Sequence, residues 1–212
     1  MDKKYEITRK KEIFDKMIDD GDILKLEKVE RYCNSLIKGV IKRDINLKFD
    51  STKDAAYTDG DNIVISPSFQ LVKFYKGYSK LMCIIGLLAH ELAHIKYLNF
   101  GEYKKYHRQL TQKWQWYGTV QPRNDKMAEK ICALCEQSPS MHGFMLSIFG
   151  TFNNILDDVH DESCMFAEMP GSILSKALCY PRFALDKSRD YLDELILNER
   201  YSKIGLCAEM IL

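Results

Sequence analysis

The stretch that decides the fold runs from Leu81 to His94 and reads LMCIIGLLAHELAH. Its first nine residues are all apolar or small, with no charged side chain among them. A helix that is apolar around its whole circumference lies buried inside a domain. We therefore expect a central helix from about Lys80 to Asn99-Phe100-Gly101, where Gly101 would take the left-handed conformation of a C-terminal cap.

The last five residues of that stretch, His90-Glu91-Leu92-Ala93-His94, form an H-E-x-x-H motif. Residues four apart lie on the same face of a helix, so His90 and His94 can offer two imidazoles to one metal ion. Glu91 can reach a water beside that metal and act as its general base, which indicates zinc-dependent hydrolysis. The alternative is a buried helix with two hydrogen-bonded histidines and no metal.

The bulk composition is that of an ordinary globular protein. A length of 212 residues and a hydrophobic content of 46% predict a single domain over 1–212 with a sizeable core. Thirty-one basic and 30 acidic residues give a net charge of +1, which argues against nucleic acid or an anionic membrane as partner. The apolar run is too short to span a bilayer. The N-terminus lacks the layout of a secretory signal and the seven cysteines lack a disulfide framework, so we expect a cytoplasmic location.

Apolar residues recur at helical spacing through most of the chain. The pattern predicts helices over about 8–20 and 22–42, and only helical or loop segments beyond residue 102. Within one of these, Cys132 and Cys135 form a C-x-x-C. We interpret them as core-facing helix cysteines, because a second metal site would need two further ligands at a related spacing. The expected fold class is α+β and mainly helical.

The β structure is confined to a short region before the motif. Alternating apolar residues predict a strand over 44–49. The turn Asp59-Gly60 lies between β-prone segments and predicts a hairpin over 55–65. Ser66-Pro67 is typical of a helix N-terminus, and we expect that helix to continue to about Tyr78.

A zinc hydrolase of this type needs a third protein ligand. His107 and His142 follow the motif along the chain, and residues 153–162 form an acidic cluster. We favour the cluster, because two histidines alone leave a zinc ion without its third ligand and because the segment is amphipathic. The apolar stripe expected to dock it on the core comprises Phe152, Ile155, Leu156 and Val159.

A polar stripe made of Asn154, Asp158 and Glu162 runs beside the apolar one at a spacing of four residues. It could direct one carboxylate at a metal and use its neighbours to hydrogen-bond the ligating groups. Asp157 lies about 100° around the helix from Asp158 and flanks the apolar stripe nearly as well. The residues alone therefore leave both aspartates open as the third ligand, and a solvated acidic helix face is the alternative to either.

The order of these blocks resembles bacterial and phage metallopeptidases that often precede a von Willebrand factor A-like domain. The resemblance spans about 45–165 and leaves 166–212 as a helical C-terminal extension. Ser66 replaces the asparagine that is usual in this family, and Asp157 stands where relatives often have glutamate. The matching blocks are Thr58-Asp59-Gly60, Ile65-Ser66-Pro67, the H-E-x-x-H motif, and Asn154-Ile155-Leu156-Asp157-Asp158-x-x-x-Glu162.

The resemblance implies a zincin-like fold with the hairpin beside the metal helix, one Zn²⁺ ion, and Asp158 as its third ligand. It implies hydrolysis of a peptide or protein substrate with Glu91 as general base. In zincin peptidases an edge strand pairs with the extended substrate backbone. The residues expected to form that edge are Asn62, Ile63, Val64 and Ile65.

The same resemblance suggests a partner. The sequence contains no D-x-S-x-S motif of the kind that binds metal in A domains. A von Willebrand factor A-like domain would therefore belong to a separate partner protein.

Two other functions remain open on the sequence. A peptidase-like scaffold could serve as a protein-interaction module, with or without metal and without proteolysis. A metallohydrolase of small molecules would instead have a closed pocket and no accessible strand edge. Metal content, measured together with cleavage of an unstructured protein, separates the peptidase from the interaction module.

Overall fold

The computed structural model describes residues 23–113 and 126–188. The predicted α+β, mainly helical class is confirmed, while the zincin-like fold stays a prediction. The predicted helix over 8–20 and the end of the C-terminal extension lie outside the described residues. The elements in chain order are α1 (Ile23–Val40), β1 (Asn46–Phe49), β2 (Ala56–Thr58), β3 (Asn62–Ile65), α2 (Gln70–Lys73), α3 (Gly77–Tyr97), α4 (Phe100–Lys113), α5 (Lys126–Gln137), α6 (Pro139–Glu168), α7 (Ile173–Ala177) and α8 (Cys179–Ser188).

The described residues form two compact units. The first comprises 23–97 and 160–188, and the second comprises 98–113 and 126–159. The division falls inside α6, which is one unbroken helix. The first unit holds the sheet, α3, α7 and α8, and the expectation of a single domain stays a prediction.

Three short strands form one sheet in the order β1-β3-β2. β1 runs parallel to β3, and β2 pairs antiparallel with β3 through the predicted hairpin. Gly60 has a φ of 102° in the turn, a conformation that favours glycine. The carboxylate of Asp59 closes the turn by accepting the backbone N–H groups of Asp61 and Asn62 at 3.0 and 2.8 Å. The predicted strand and hairpin are both confirmed.

The prediction that Asn62, Ile63, Val64 and Ile65 form an edge strand is wrong. These residues make up β3, the central strand, and all four pair with β1. Ile63 to Ile65 also pair with β2 on the other side. Because its backbone groups are engaged on both sides, β3 cannot accept a further strand. In the part of the chain that the structure describes, the sheet edges are β1 and β2.

α3 passes through the core of the first unit, as its apolar sequence predicts. Residues 81–89 are all buried. Gly86 permits a close crossing: a Cβ built there would lie 2.3 Å from the backbone oxygen of Ala177 in α7 and 2.6 Å from Cδ of Pro181 in α8. Three helices therefore meet at a position that only glycine can occupy without a shift.

The ends of α3 differ from the prediction. The helix begins three residues before Lys80, at Gly77, whose φ is 52°. It ends at Tyr97, and α4 begins at Phe100. The prediction that Gly101 forms a left-handed cap is wrong, because Gly101 lies inside the first turn of α4 and its φ is not positive.

Ser66-Pro67 opens no long helix, so that prediction is also wrong. The Ser66 side chain is fully buried, and its hydroxyl donates to the carbonyl of Lys53 at 2.6 Å. The same oxygen accepts the N–H of Ser68 at 3.1 Å. Ser66 thus joins two loop segments beside the sheet, and the helix that follows, α2, is only four residues long.

α6 docks through a different face from the one predicted. Ile155 is buried, but Leu156 and Val159 are 65% and 56% exposed, so the predicted apolar stripe is wrong at those two positions. The buried positions further along the helix are Asp161 and Met165. The helix therefore buries the carboxylate of Asp161 and exposes the aliphatic side chains of Leu156 and Val159.

Five cysteines, those whose side chains the structure describes, are free thiols. Cys33, Cys83 and Cys135 are buried, whereas Cys164 is partly exposed and Cys179 is exposed. Burial raises the pKa of the Cys33 and Cys83 thiols to about 12. The predicted core position of Cys135 is confirmed, and the side chain of Cys132 lies outside the described residues.

Among the described helices, no single helix combines the length and apolar composition needed to cross a membrane. The bent pair formed by α3 and the start of α4, Phe100–Tyr106, has the length and composition of a broken membrane span, and only those two properties indicate one. The apolar residues of α3 are those buried in the core of the first unit.

Candidate metal centre

One turn of α3 carries the three residues of the motif. His90 and His94 share a face, with their ring centroids 4.6 Å apart and their Nε2 atoms 3.2 Å apart. Their side chains are 22% and 15% exposed, while Glu91 is 4% exposed. The two imidazoles therefore retain limited access to solvent beside a buried carboxyl group.

Two adjacent carboxylates of α6 hold the other nitrogen of each ring. Glu162 Oε1 lies 2.8 Å from His90 Nδ1, and Asp161 Oδ2 lies 2.9 Å from His94 Nδ1. An ionised carboxylate can only accept, so each Nδ1 carries the proton and donates it. Each neutral ring then presents the lone pair of its Nε2 toward the other ring, which is the tautomer that a metal ligand requires.

The distance between the two Nε2 atoms fits a shared metal ion. Two acceptors 3.2 Å apart repel one another unless a proton or a cation lies between them. Two nitrogens bound to one zinc ion at about 2.0–2.1 Å with tetrahedral geometry lie roughly 3.3–3.4 Å apart. The residues present therefore fit a zinc ion. The alternative explanation of the short distance between the two Nε2 atoms is a proton shared by the two rings.

Arg182 of α8 holds Glu162 from its other side. Its Nη2 donates to Glu162 Oε1 at 2.9 Å and its Nε donates to Oε2 at 3.3 Å. Burial raises the pKa of the Glu162 carboxyl, but the hydrogen bonds from His90 and Arg182 and the positive charge of Arg182 outweigh it, so the net pKa is lowered. Glu162 stays ionised and can act only as an acceptor toward His90.

Asp161 serves two histidines at once. It is 1% exposed, and while Oδ2 accepts from His94, Oδ1 accepts from His160 Nδ1 at 2.8 Å. Sequence reasoning placed Glu162 in the polar stripe but missed Asp161 and Arg182. The sequence did contain a pattern that pointed to Asp161. Asp161 and Glu162 are adjacent carboxylates, and such a pair on a crossing helix can accept hydrogen bonds from two histidines four residues apart. Arg182 carried no local signal.

Asp158 lies one helical turn before Glu162 on the unbroken helix α6, which sets its position. One ligand atom from each of His90, His94 and Asp158 lies within 4.8 Å of the others. Among the described residues, this is the group of three that could hold a metal ion. The structure thus brings together the three predicted ligands, and His142 is not a member of the group.

Asp157, the other aspartate considered as third ligand, is not a member of that group. The negative charge of Asp157 affects the Tyr103 hydroxyl instead. The pKa of that hydroxyl is raised mainly by burial and secondly by the charge of Asp157. The side chain of His107 is outside the described residues. Asp158 is therefore the carboxylate that the geometry favours.

Comparison with protein-family models, with curated proteins and with solved structures gave no match. The resemblance to metallopeptidases thus rests on the quoted sequence blocks alone. Zinc, peptide hydrolysis and a von Willebrand factor A-like partner stay predictions.

Proposed function

We propose that this chain is a zinc metallopeptidase in which His90, His94 and Asp158 hold the metal and Glu91 is the general base. The observation that carries the proposal is the pair of Nε2 atoms 3.2 Å apart, with each ring held at Nδ1 by a carboxylate. Carboxylate–histidine pairs of this kind regularly accompany zinc ligands, because they fix the tautomer and orient the ring.

The donor set supports zinc over the hard cations. Two imidazoles and one carboxylate, with a fourth position left open, form a ligand set used by hydrolytic zinc enzymes. Magnesium and calcium prefer oxygen ligands throughout. A zinc ion held there supplies the Lewis acidity that polarises a peptide carbonyl and makes water nucleophilic near neutral pH.

Each protein group then has a distinct role. Glu91 accepts a proton from the attacking water and delivers it to the leaving nitrogen as the C–N bond breaks. Glu162 and Asp161 keep the two imidazoles oriented, and Arg182 keeps Glu162 ionised. The burial of Glu91 limits its contact with solvent.

In this proposal the extended substrate pairs with β2 and not with β3, the strand that the sequence analysis expected. β3 is paired on both sides, whereas β2 (Ala56–Thr58) is an edge of the sheet that also contacts α3. The Tyr57 side chain on β2 is 45% exposed. An extended peptide adding to the β2 edge would run beside the metal helix, so we assign substrate binding by strand addition to β2.

The proposal is tested by separating metal binding from chemistry. Glu91→Gln should retain the metal, because Glu91 is not a ligand, and should lower cleavage of a quenched, fluorescently labelled unfolded protein by at least about 100-fold. His90→Ala, the matched control, should lose both metal and cleavage. If Glu91→Gln cleaves as fast as the parent, Glu91 is not the base. Metal binding with no cleavage by the parent would indicate the interaction module instead.

A further inference from the structure

We propose that His160 and Cys164 form a second metal-binding site, on the exposed side of α6, for a soft or borderline cation such as Zn²⁺. Cys164 Sγ lies 3.7 Å from His160 Nε2. The two residues are four apart, so one face of the helix presents both donors. The inference requires neither the H-E-x-x-H centre nor hydrolysis.

The geometry of the pair suits a shared ion. A sulfur and a nitrogen bound to one zinc ion at about 2.3 and 2.0–2.1 Å with tetrahedral geometry lie roughly 3.5 Å apart. The observed 3.7 Å is close to that separation. A shift of a few tenths of an ångström, in one exposed and one partly exposed side chain, would bring the two atoms to that separation.

The ring of His160 is already oriented for this purpose. Its Nδ1 donates to Asp161 Oδ1 at 2.8 Å, which leaves the Nε2 lone pair directed at Cys164. The same arrangement, a carboxylate on Nδ1 with Nε2 left for the metal, holds His90 and His94. Asp161 therefore orients one imidazole of each site through its two oxygens.

The donors determine which cations the site would accept. A thiolate with an imidazole favours Zn²⁺, Cd²⁺, Co²⁺ or Cu⁺ over Mg²⁺ and Ca²⁺. The His160 side chain is 66% exposed and Cys164 is partly exposed, so water or an external ligand can fill the other positions. With two protein ligands instead of three, this site should bind more weakly than the H-E-x-x-H centre.

The other interpretation of the same contact is a thiol–imidazole hydrogen bond with no metal. Titration of the metal-stripped full chain with Co²⁺, in the presence of a non-thiol reductant, separates the two. Thiolate bound to Co²⁺ gives a charge-transfer absorption in the near ultraviolet, whereas the His90, His94 and Asp158 group contains no sulfur. We expect this absorption to appear at a higher Co²⁺ concentration than the first equivalent of binding.

The variants assign the absorption to its source. Cys164→Ser should abolish it and leave the first equivalent unchanged, while Cys179→Ser, the exposed-cysteine control, should retain it. His160→Asn should weaken the Co²⁺ affinity of the absorbing site by more than tenfold, since removing a ligand costs more than removing its hydrogen-bond partner. Loss of the first equivalent in His94→Ala, with the absorption kept, shows that the two sites are independent.

Two results would overturn the inference. No thiolate absorption in the parent chain would leave only the hydrogen bond. An absorption that survives Cys164→Ser and disappears in Cys135→Ser would place the site at the C-x-x-C of α5 instead. A parent chain that gives the absorption but never cleaves a peptide would count against the proposed function and leave this site standing.

Discussion

Gly86→Ala links the packing of α3 to the metal centre. The new Cβ would lie 2.3 Å from the Ala177 backbone oxygen and 2.6 Å from Cδ of Pro181, below the 3.0 Å that real Cβ contacts respect. The first of these atoms belongs to the backbone, so no side-chain rotation relieves the clash. Reaching the 3.4 Å of ordinary contact from 2.3 Å requires α3 and α7 to separate by about 1.1 Å.

The magnitude follows from two opposing effects. Overpacking of a close-packed core costs about 1–3 kcal/mol, and a backbone clash belongs at the upper end of that range. Alanine in place of glycine inside a helix regains about 0.5–1 kcal/mol. We expect the free energy of unfolding to fall by about 2 kcal/mol net.

The displacement caused by Gly86→Ala should also weaken the proposed metal centre. Pro181 immediately precedes Arg182, whose guanidinium holds Glu162 and through it His90. Displacing α8 loosens that chain of contacts, so zinc affinity should fall by about tenfold, the lower end of the effect of losing a ligand's partner.

Urea unfolding measures the stability and competition with a fluorescent zinc chelator measures the affinity. Gly150→Ala in α6 is the matched control, because its added Cβ would meet nothing within 4 Å apart from its chain neighbours and the backbone of its own helix. It should be neutral, or stabilising by up to about 1 kcal/mol. If Gly86→Ala is as stable as the parent, the close crossing of α3 with α7 is not as described.

Three further changes test individual side chains. Glu162→Gln should keep the fold but weaken zinc binding by about 10–100-fold in the same competition assay, and an unchanged affinity would show that Glu162 does not support His90. Asp158→Ala should weaken zinc binding by well over 100-fold while Asp157→Ala costs little, and the reverse ranking would move the third ligand to Asp157. Hydrogen bonds from Asn62 and from the turn backbone lower the pKa of the exposed Asp59 carboxyl to about 2. A lowered folded-state pKa stabilises the protein above the ordinary value of 3.8, and that contribution is lost as the pH falls through about 2. Parent and Asp59→Ala should therefore differ by a few tenths of a kcal/mol more in unfolding free energy at pH 5 than at pH 2, after allowance for solvent screening, and a pH-independent difference would refute this.

The buried helix and its two histidines were predictable because they depend on local pattern. An apolar circumference requires burial, and a spacing of four residues places His90 and His94 on one face. The hairpin was predictable for the same reason, since Asp59-Gly60 suits a tight turn. The pairing of β1 with β3 was not predictable, because no local pattern in the sequence of β3 indicates that a parallel strand pairs with it on the side away from the hairpin.

The docking face of α6 was mispredicted for an electrostatic reason. Amphipathicity alone favours burial of Leu156 and Val159, yet both are exposed. Asp161 is buried instead, together with most of Glu162, because their hydrogen bonds to His94 and His90 compensate the cost of removing them from water. Such compensation depends on a partner helix more than 60 residues away in sequence, which local periodicity does not report.

The most direct test of the metal centre is an anomalous difference map, measured at the zinc absorption edge on crystals grown with zinc. We predict a peak about 2.0–2.2 Å from Nε2 of His90, Nε2 of His94 and a carboxylate oxygen of Asp158. A map with no peak between the two Nε2 atoms, or with a peak only between His160 and Cys164, would contradict the assignment of the H-E-x-x-H motif as the zinc site.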